Sequence, residues 1–279
     1  MRKSQVGILS ACVLLLSSCG STAYYSWQWN KIPADGHRTG VTAPNAENAV
    51  EALGVSNGEF YSAPNGKIFV GGATPEVADI LFSVQPEMAD LKTVIGYSEH
   101  GMGKGRPESP LGNWAADVLL EEAARLTGKR IDVSILNGGG IRCDIPKGEI
   151  LKEDLVSMFP FKNYVTVVTL KGKRLREIFT QMAEGKPECI GGARIVISDH
   201  ALESVTVGGK PLDDDAVYNL ATIDFLLTGG DKYFLGQDAL SVQTTDVLIG
   251  DVMLPRVLNM TAAGKSVDYQ SDGRVQILK

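Results

Sequence analysis

Three loop-like stretches of this sequence carry residue types suited to binding a flat, partly charged ligand. They are NGGGIR at 137–142, FPFKN at 159–163 and DFLLTGGDKY at 224–233. Aromatic rings stack on planar groups, an arginine can form two hydrogen bonds with a phosphate or carboxylate, and a carboxylate accepts hydrogen bonds from vicinal hydroxyls. The combination suits a ligand that joins a flat ring, a sugar and an anion.

The first two loops each allow a simpler interpretation. Consecutive glycines let the backbone of 137–142 approach a ligand, and Arg142 could then contact an anion. A tight turn with Arg142 in a surface ion pair fits this loop equally well. In 159–163, Phe161 follows a proline and Asn163 offers both a donor and an acceptor, but a lone phenylalanine is more often a core residue.

The third loop places an aromatic ring close to a carboxylate. Phe225 precedes the turn formed by Gly229, Gly230 and Asp231 by four residues. Asp231 could accept two hydrogen bonds from vicinal hydroxyls such as those of a ribose. The alternative is an aspartate that only stabilises the turn.

Alternating strand and helix patterns predict a mixed α/β domain over residues 91–279. A helix is indicated from Ser109 as N-cap to Gly128 after its last turn, and 131–136 alternates like a half-buried strand. A strand and a helix follow in 164–185, and Gly208 with Gly209 predicts a hairpin. The stretch 244–260 is predicted to be helical, with Pro255 kinking it or starting it afresh.

The N-terminal residues are typical of an exported bacterial lipoprotein. Arg2 and Lys3 precede a short apolar run, and LSSC ends at Cys19, so 1–18 is predicted to be a signal peptide and Cys19 a lipidation site. The alternative is a plain secretory signal with Cys19 as an ordinary thiol. Residues 19–90 are predicted to form a tether and a small irregular subdomain. We therefore expect a lipid-anchored protein facing the periplasm or on the cell surface.

Composition limits the partners and the redox chemistry. The chain has 27 basic and 33 acidic residues, a net charge of −6, which argues against nucleic-acid polymers as ligands. Cys143 and Cys189 could form a disulfide after export or remain two free thiols. No pair among the three histidines has metal-ligand spacing.

Four motifs together resemble one known family. ESPLGNWAADVLLEEA, NGGGIR, FPFKN and DFLLTGGDKY occur in the order and approximate spacing seen in the C-terminal domain of bacterial 5'-nucleotidases and UDP-sugar hydrolases. The similarity covers 93–279 and implies the mixed α/β fold of that domain, with a mixed sheet and flanking helices. It also implies that the ligand is a nucleoside or nucleotide.

The resemblance assigns roles to the loop residues. Phe161 and Phe225 would clamp the base, and Arg142 would hold phosphate. Asn163 and Asp231 would hold the nucleoside, with Gly229 and Gly230 in the same binding loop. One departure concerns Lys104 and Arg106, which are out of register with the family's phosphate-binding arginines.

The larger departure concerns catalysis. The family hydrolyses phosphoesters with two metal ions in a separate N-terminal domain, and His37, His100 and His200 do not match its ligands. We therefore expect no catalytic residue and no cofactor in this chain, and divalent metals in a separately encoded metallophosphoesterase partner. The alternatives are a non-catalytic lipoprotein that binds nucleosides or nucleotides for uptake, and a domain that has kept the fold without the pocket.

Overall fold

A computed structural model of the chain describes residues 49–278. The predicted signal peptide, Cys19 and His37 lie outside this range, so they stay predictions. The helices are α1 Ala49–Leu53, α2 Ala73–Met88, α3 Pro110–Thr127, α4 Lys152–Met158, α5 Gly172–Glu184 and α6 Ile249–Ala262. The strands are β1 Val55–Ser56, β2 Phe60–Ser62, β3 Ile68–Val70, β4 Val94–Ser98, β5 Val133–Leu136, β6 Gly148–Leu151, β7 Tyr164–Lys171, β8 Cys189–Gly191, β9 Ala193–Ser198, β10 Ala201–Val207, β11 Lys210–Pro211, β12 Val217–Ile223, β13 Ser241–Leu248 and β14 Val275–Leu278.

The central sheet is mixed, as expected, with strand order β13-β7-β12-β5-β8. β12 runs parallel to β5, whereas β7 is antiparallel to β12 and β13, and β8 is antiparallel to β5. The carboxyl ends of β5, β12 and β13 therefore meet the amino ends of β7 and β8 at one edge. We call the segments there, 137–142, 159–163, 187–189 and 224–234, the loop edge.

The core lies between this sheet and its helices. Trp114 of α3 and Phe179 of α5 are fully buried, and α3 packs on β5 and β8. All four residues of β5 are buried. The prediction of a half-buried strand was therefore wrong, because β5 is paired on both sides and covered by α3.

The predicted ends of α3 are confirmed. The Ser109 side chain accepts a hydrogen bond from the Gly112 amide at 3.1 Å, Pro110 is the first helical residue, and Gly128 has a φ of 66°. Such a side-chain acceptor satisfies an amide that the helix leaves unpaired, and a glycine tolerates the left-handed turn after it.

The helix predicted over 244–260 begins later than expected. β13 continues to Leu248, because residues from Ser241 onward pair with β7, and α6 starts at Ile249. Pro255 lies inside α6 and does not begin a new helix. Strand pairing across the sheet thus overrides the local helical pattern of 244–248.

Three smaller sheets complete the described part of the chain. One has the order β11-β10-β9-β14 and includes the predicted hairpin, where Gly208 and Gly209 have positive φ angles of 57° and 78°. A second pairs β4 with β6, and a third joins β1, β2 and β3 near α2. A domain boundary at residue 90 stays a prediction. Among residues 49–278, no helix combines the length and apolar character needed to cross a membrane.

Candidate functional site

The strand order gathers the three sequence motifs at the loop edge. In the β12–β7 pair, Ile223 lies opposite Val165, so DFLLTGGDKY begins where FPFKN ends. In the parallel β12–β5 pair, NGGGIR leaves the same edge directly after Leu136. Loops that are far apart in sequence are therefore neighbours because of the strand directions.

Asp231 lies against the glycine loop. The Asn137 side-chain amide donates a 2.6 Å hydrogen bond to Oδ2 of Asp231, and this oxygen is 3.8 Å from the position that a Cβ on Gly139 would take. Asp231 has a φ of 48°, in the left-handed region. Asn137 is buried and its Oδ1 lacks a hydrogen-bond partner in residues 49–278. The contact orients the exposed Asp231 carboxylate.

Gly230 lies directly against Phe225. A Cβ on Gly230 would lie 2.2 Å from the Phe225 carbonyl oxygen and 2.6 Å from two of its ring carbons, so only glycine fits. Asp224 Oδ1 accepts hydrogen bonds from the amides of Phe225 at 2.9 Å and Tyr164 at 3.0 Å, which fixes this loop to the start of β7. Gly229 has a φ of 118° and packs on the ring of Phe234.

The Arg142 side chain lies near the ring of Phe161. The guanidinium carbon lies 5.9 Å from the centroid of the Phe161 ring, and Nη1 donates a 3.1 Å hydrogen bond to the Gly139 carbonyl. Phe161 and Phe225 are 49% and 44% exposed, and neither ring contacts another aromatic ring among the described residues. Both rings therefore offer an open surface on which a planar group can stack.

Asn163 is close to the Phe161 side of the loop edge. A small cavity is lined by Phe161, Asn163, Asn137 and Gly140, and the Asn163 carbonyl accepts a hydrogen bond from the Ile249 amide at 2.9 Å. The structure thus brings Arg142 to Phe161, Gly230 to Phe225, and Asp231 to the glycine loop.

Two residues of the loop edge carried no signal in the sequence analysis. Asn137 was expected only as part of a glycine loop, and Glu188 was not singled out. Glu188 is 8% exposed, and its Oε2 accepts a hydrogen bond from the Gly138 amide at 2.7 Å. It precedes β8, which has three residues and is too short to be recognised from a pattern.

Lys104 and Arg106, which are out of register with the family's phosphate-binding arginines, lie beside the glycine loop. Lys104 donates from Nζ to the Ile141 carbonyl at 2.7 Å. Arg106 donates to the Pro187 carbonyl and, from Nη2, to Glu188 Oε1 at 3.3 Å. Their contacts are with the protein's own acceptors.

Two titratable groups beside the loop edge have raised pKa values. Burial, with a contribution from Glu188, raises the pKa of the Cys189 thiol to about 12. The same two causes raise the pKa of Tyr233. Cys143 and Cys189 are both free cysteines, so the disulfide alternative is not realised in this structure.

The two described histidines are not among the residues of the loop edge. His100 has Nδ1 3.4 Å from Asp268, and His200 is exposed in the turn between β9 and β10. Within residues 49–278, no group of three or more histidine, cysteine, aspartate or glutamate side chains is arranged to hold a metal ion.

Known proteins similar to this chain include nucleotide phosphoesterases. The trifunctional nucleotide phosphoesterase protein YfkN of Bacillus subtilis is 26% identical over 226 residues, which are 72% of this chain and 15% of that protein. The silent protein UshA(0) of Salmonella typhimurium is 30% identical over 182 residues, covering 57% and 31%. This chain therefore spans less than a third of either relative.

A solved structure and a family match complete the comparison. The 5'-nucleotidase precursor from Thermus thermophilus has a TM-score of 0.63 and 25% identity, covering 77% of this chain and 46% of that one. Residues 94–237 match the family described as the 5'-nucleotidase C-terminal domain. This chain belongs to that family.

Proposed function

We propose that the loop edge binds a nucleoside or nucleotide, and that this domain supplies substrate recognition to a metallophosphoesterase on a separate chain. The observation that carries the proposal is the grouping of two half-exposed phenylalanine rings with the oriented carboxylate of Asp231 at one edge of the sheet. Family membership and the nucleotide-directed names of its relatives favour the same ligand class.

The aromatic pair would bind the base. Stacking of a base on an aromatic side chain contributes roughly 1–3 kcal/mol and tolerates any base, because every base has a π-face. Phe161 and Phe225 have the exposed surface that stacking requires. The site is therefore expected to accept purines and pyrimidines alike.

The polar residues would bind the sugar and the phosphate. Asn137 donates a hydrogen bond to Oδ2 of Asp231. Oδ1 of Asp231 accepts no hydrogen bond from the described residues and is available for a ribose hydroxyl. Asn163 would contact the nucleoside from the Phe161 side, and the exposed Arg142 would contact a phosphate. These groups bind and orient a ligand, whereas the metal ions of the partner would activate the attacking water.

The location of this activity follows from the N-terminal sequence. We propose that the protein is exported and held on a bacterial membrane through a lipid on Cys19. Recognition and hydrolysis of nucleotides would then take place outside the cytoplasm, as part of nucleotide catabolism.

Recognition is tested by titrating the purified chain with adenosine, uridine and free ribose. Because stacking tolerates either base, the two nucleosides are expected to bind with affinities within about tenfold of each other, and ribose far more weakly. A chain that binds neither nucleoside would overturn the assignment of the ligand.

The partner role is tested by AMP hydrolysis. A metallophosphoesterase from the same genome without a domain of this family is assayed alone, with this chain, and with its Phe225→Ala variant. The chain is expected to raise kcat/KM for AMP and the variant to raise it less. Nucleoside binding without any stimulation would instead favour the uptake function.

A further inference from the structure

The glycine loop also borders a second region of the structure, through Gly138 and Gly139. A cavity of about 280 Å³ lies there, with walls that include Lys104, Arg106, Glu108, Gly138 and Glu188. Two cationic and two carboxylate side chains line it. The cavity is therefore charged yet close to neutral in sum.

Backbone amides of a glycine-rich loop and nearby guanidinium groups are common anion-binding donors. Here a loop amide and a guanidinium group both donate hydrogen bonds to a carboxylate of the protein. Glu188 accepts from the Gly138 amide at 2.7 Å through Oε2 and from Arg106 at 3.3 Å through Oε1. Only 8% of Glu188 is exposed, whereas the Arg106 side chain is 45% exposed, so the carboxylate is the buried member of this pair.

The neighbouring charged groups are occupied as well. Lys104 donates to the Ile141 carbonyl at 2.7 Å. Glu108 accepts from the amides of Gly273 at 2.8 Å and Arg274 at 3.2 Å. An entering phosphate would meet two carboxylates here, and Lys104 and Arg106 already donate hydrogen bonds to acceptors of the protein.

Glu188 contributes to the raised pKa of two neighbouring side chains. It is a named cause, after burial, of the raised pKa of both Cys189 and Tyr233. Arg106 acts on both pKa values in the opposite direction, so Glu188 and Arg106 influence this face of the loop as a pair of opposite charges.

We infer that Glu188 fills the anion-binding position of the glycine loop, so that this site selects the uncharged nucleoside part of its ligand and excludes phosphate from the loop. The inference rests on the proposed function and deepens it, because it names the part of the ligand that is recognised. Glu188 is then a specificity-determining residue. The 5'-phosphate of a bound nucleotide would point away from the cavity, towards Arg142 and the metal ions of the partner.

The test compares adenosine with AMP for the wild-type chain and for Glu188→Gln. Glutamine keeps an acceptor for the Gly138 amide but removes the negative charge. The wild-type chain is expected to bind AMP at most about fivefold more tightly than adenosine, since the exposed Arg142 is the cation left to contact the phosphate. The ratio of AMP affinity to adenosine affinity is expected to rise about tenfold in Glu188→Gln, since a charge-assisted interaction is released for phosphate. The exposed Glu177→Gln is the matched control and should leave the ratio unchanged.

A second variant is expected to change the ratio of AMP affinity to adenosine affinity in the opposite direction. Arg106→Gln leaves the Glu188 carboxylate without its cation, so the same ratio should fall about threefold or more. Circular dichroism of each variant checks that the fold is retained.

The outcomes separate the two proposals. A wild-type chain that binds neither ligand contradicts the proposed function. A chain that binds adenosine, with a ratio that neither Glu188→Gln nor Arg106→Gln alters, contradicts the inference and leaves the proposed function intact. A wild-type preference for AMP over adenosine well above about fivefold contradicts the inference without any variant.

Discussion

Gly230 lies directly against the ring of Phe225, and its missing side chain decides where that ring stands. Any Cβ there would approach two ring carbons to 2.6 Å, a distance that requires the ring or the backbone to move. The position of one proposed stacking surface therefore depends on a residue that has no side chain of its own.

Gly230→Ala is expected to weaken adenosine binding about tenfold or more, because a displaced ring loses part of its stacking energy. Calorimetric titration measures the loss. Gly103→Ala is the matched control, since its Cβ would meet its nearest neighbour at an ordinary 3.7 Å. Equal adenosine affinity in the two variants would show that the Phe225 ring does not contact the base.

Asp231→Asn tests the proposed contact with the ribose. The loss of a charged acceptor is expected to cost about 2 kcal/mol, or about 30-fold in affinity for adenosine. Affinity for 2',3'-dideoxyadenosine, which lacks both hydroxyls, should change little. Asp238→Asn, on the same stretch of chain, is the control. An equal loss for both ligands would mean that Asp231 shapes the loop without contacting the sugar.

Among the elements, the turn after β4 depends on a carboxylate from a distant segment. Asp268 accepts hydrogen bonds from Ser98 Oγ at 2.8 Å and from the amides of Glu99 at 3.0 Å and His100 at 3.2 Å. Although burial opposes it, these hydrogen bonds lower the pKa of Asp268 to about 2. The carboxylate thereby joins 98–100 to the segment before β14.

This shift makes stability depend on pH. A carboxyl whose folded pKa is depressed stabilises the fold above its unfolded pKa, about 3.9, and this contribution is lost as pH falls towards 2. Asp268→Asn is expected to be less stable than wild type by about 2 kcal/mol at pH 7, with the difference narrowing between about pH 4 and 2. Urea unfolding at several pH values measures it, with the exposed Asp246→Asn as control. A difference independent of pH would exclude this mechanism.

The elements also show how far the sequence could predict the structure. The ends of α3 followed from Ser109, Pro110 and Gly128, because capping is local chemistry. The end of β13 at Leu248 did not, because its pairing with β7 is a long-range interaction that the local pattern of 244–248 contradicts.

The loop edge shows the same difference between features set by the local sequence and features set by long-range contacts. The phenylalanines and Asp231 were predicted as ligand-binding residues because their motifs are local, and these roles stay predictions. The role of Glu188 was missed, since its contacts join residues 50 and 82 positions away in the chain.

In the molecule as a whole, Arg274 connects three elements. It is 6% exposed, donates two hydrogen bonds to Asp117 of α3 at 2.7 and 2.9 Å, and binds Asp272 just before β14. It also donates to the Ile190 carbonyl of β8, at 2.9 Å. The arginine thus links the C-terminal segment to the strand that begins beside Glu188.

Arg274→Met is expected to lower the free energy of unfolding by about 3–5 kcal/mol, because it leaves Asp117 as a poorly compensated partly buried charge. Urea unfolding at neutral pH measures the change. Arg194→Met is the control: it also removes a contact with Asp272 but is 53% exposed at its side chain, so about 1 kcal/mol or less is expected. Similar losses in both variants would mean that the burial of Arg274 does not matter.

Calorimetric titration with adenosine of the wild-type chain and of the Phe161→Ala, Phe225→Ala double variant would test nucleoside recognition most directly. We expect the wild type to bind adenosine, and the double variant to bind about 30-fold more weakly or worse, because both stacking surfaces are removed. Tyr97→Ala, which removes an aromatic ring that is 51% exposed outside the loop edge, should bind like the wild type. A folded double variant that binds adenosine as tightly as the wild type would contradict the proposal.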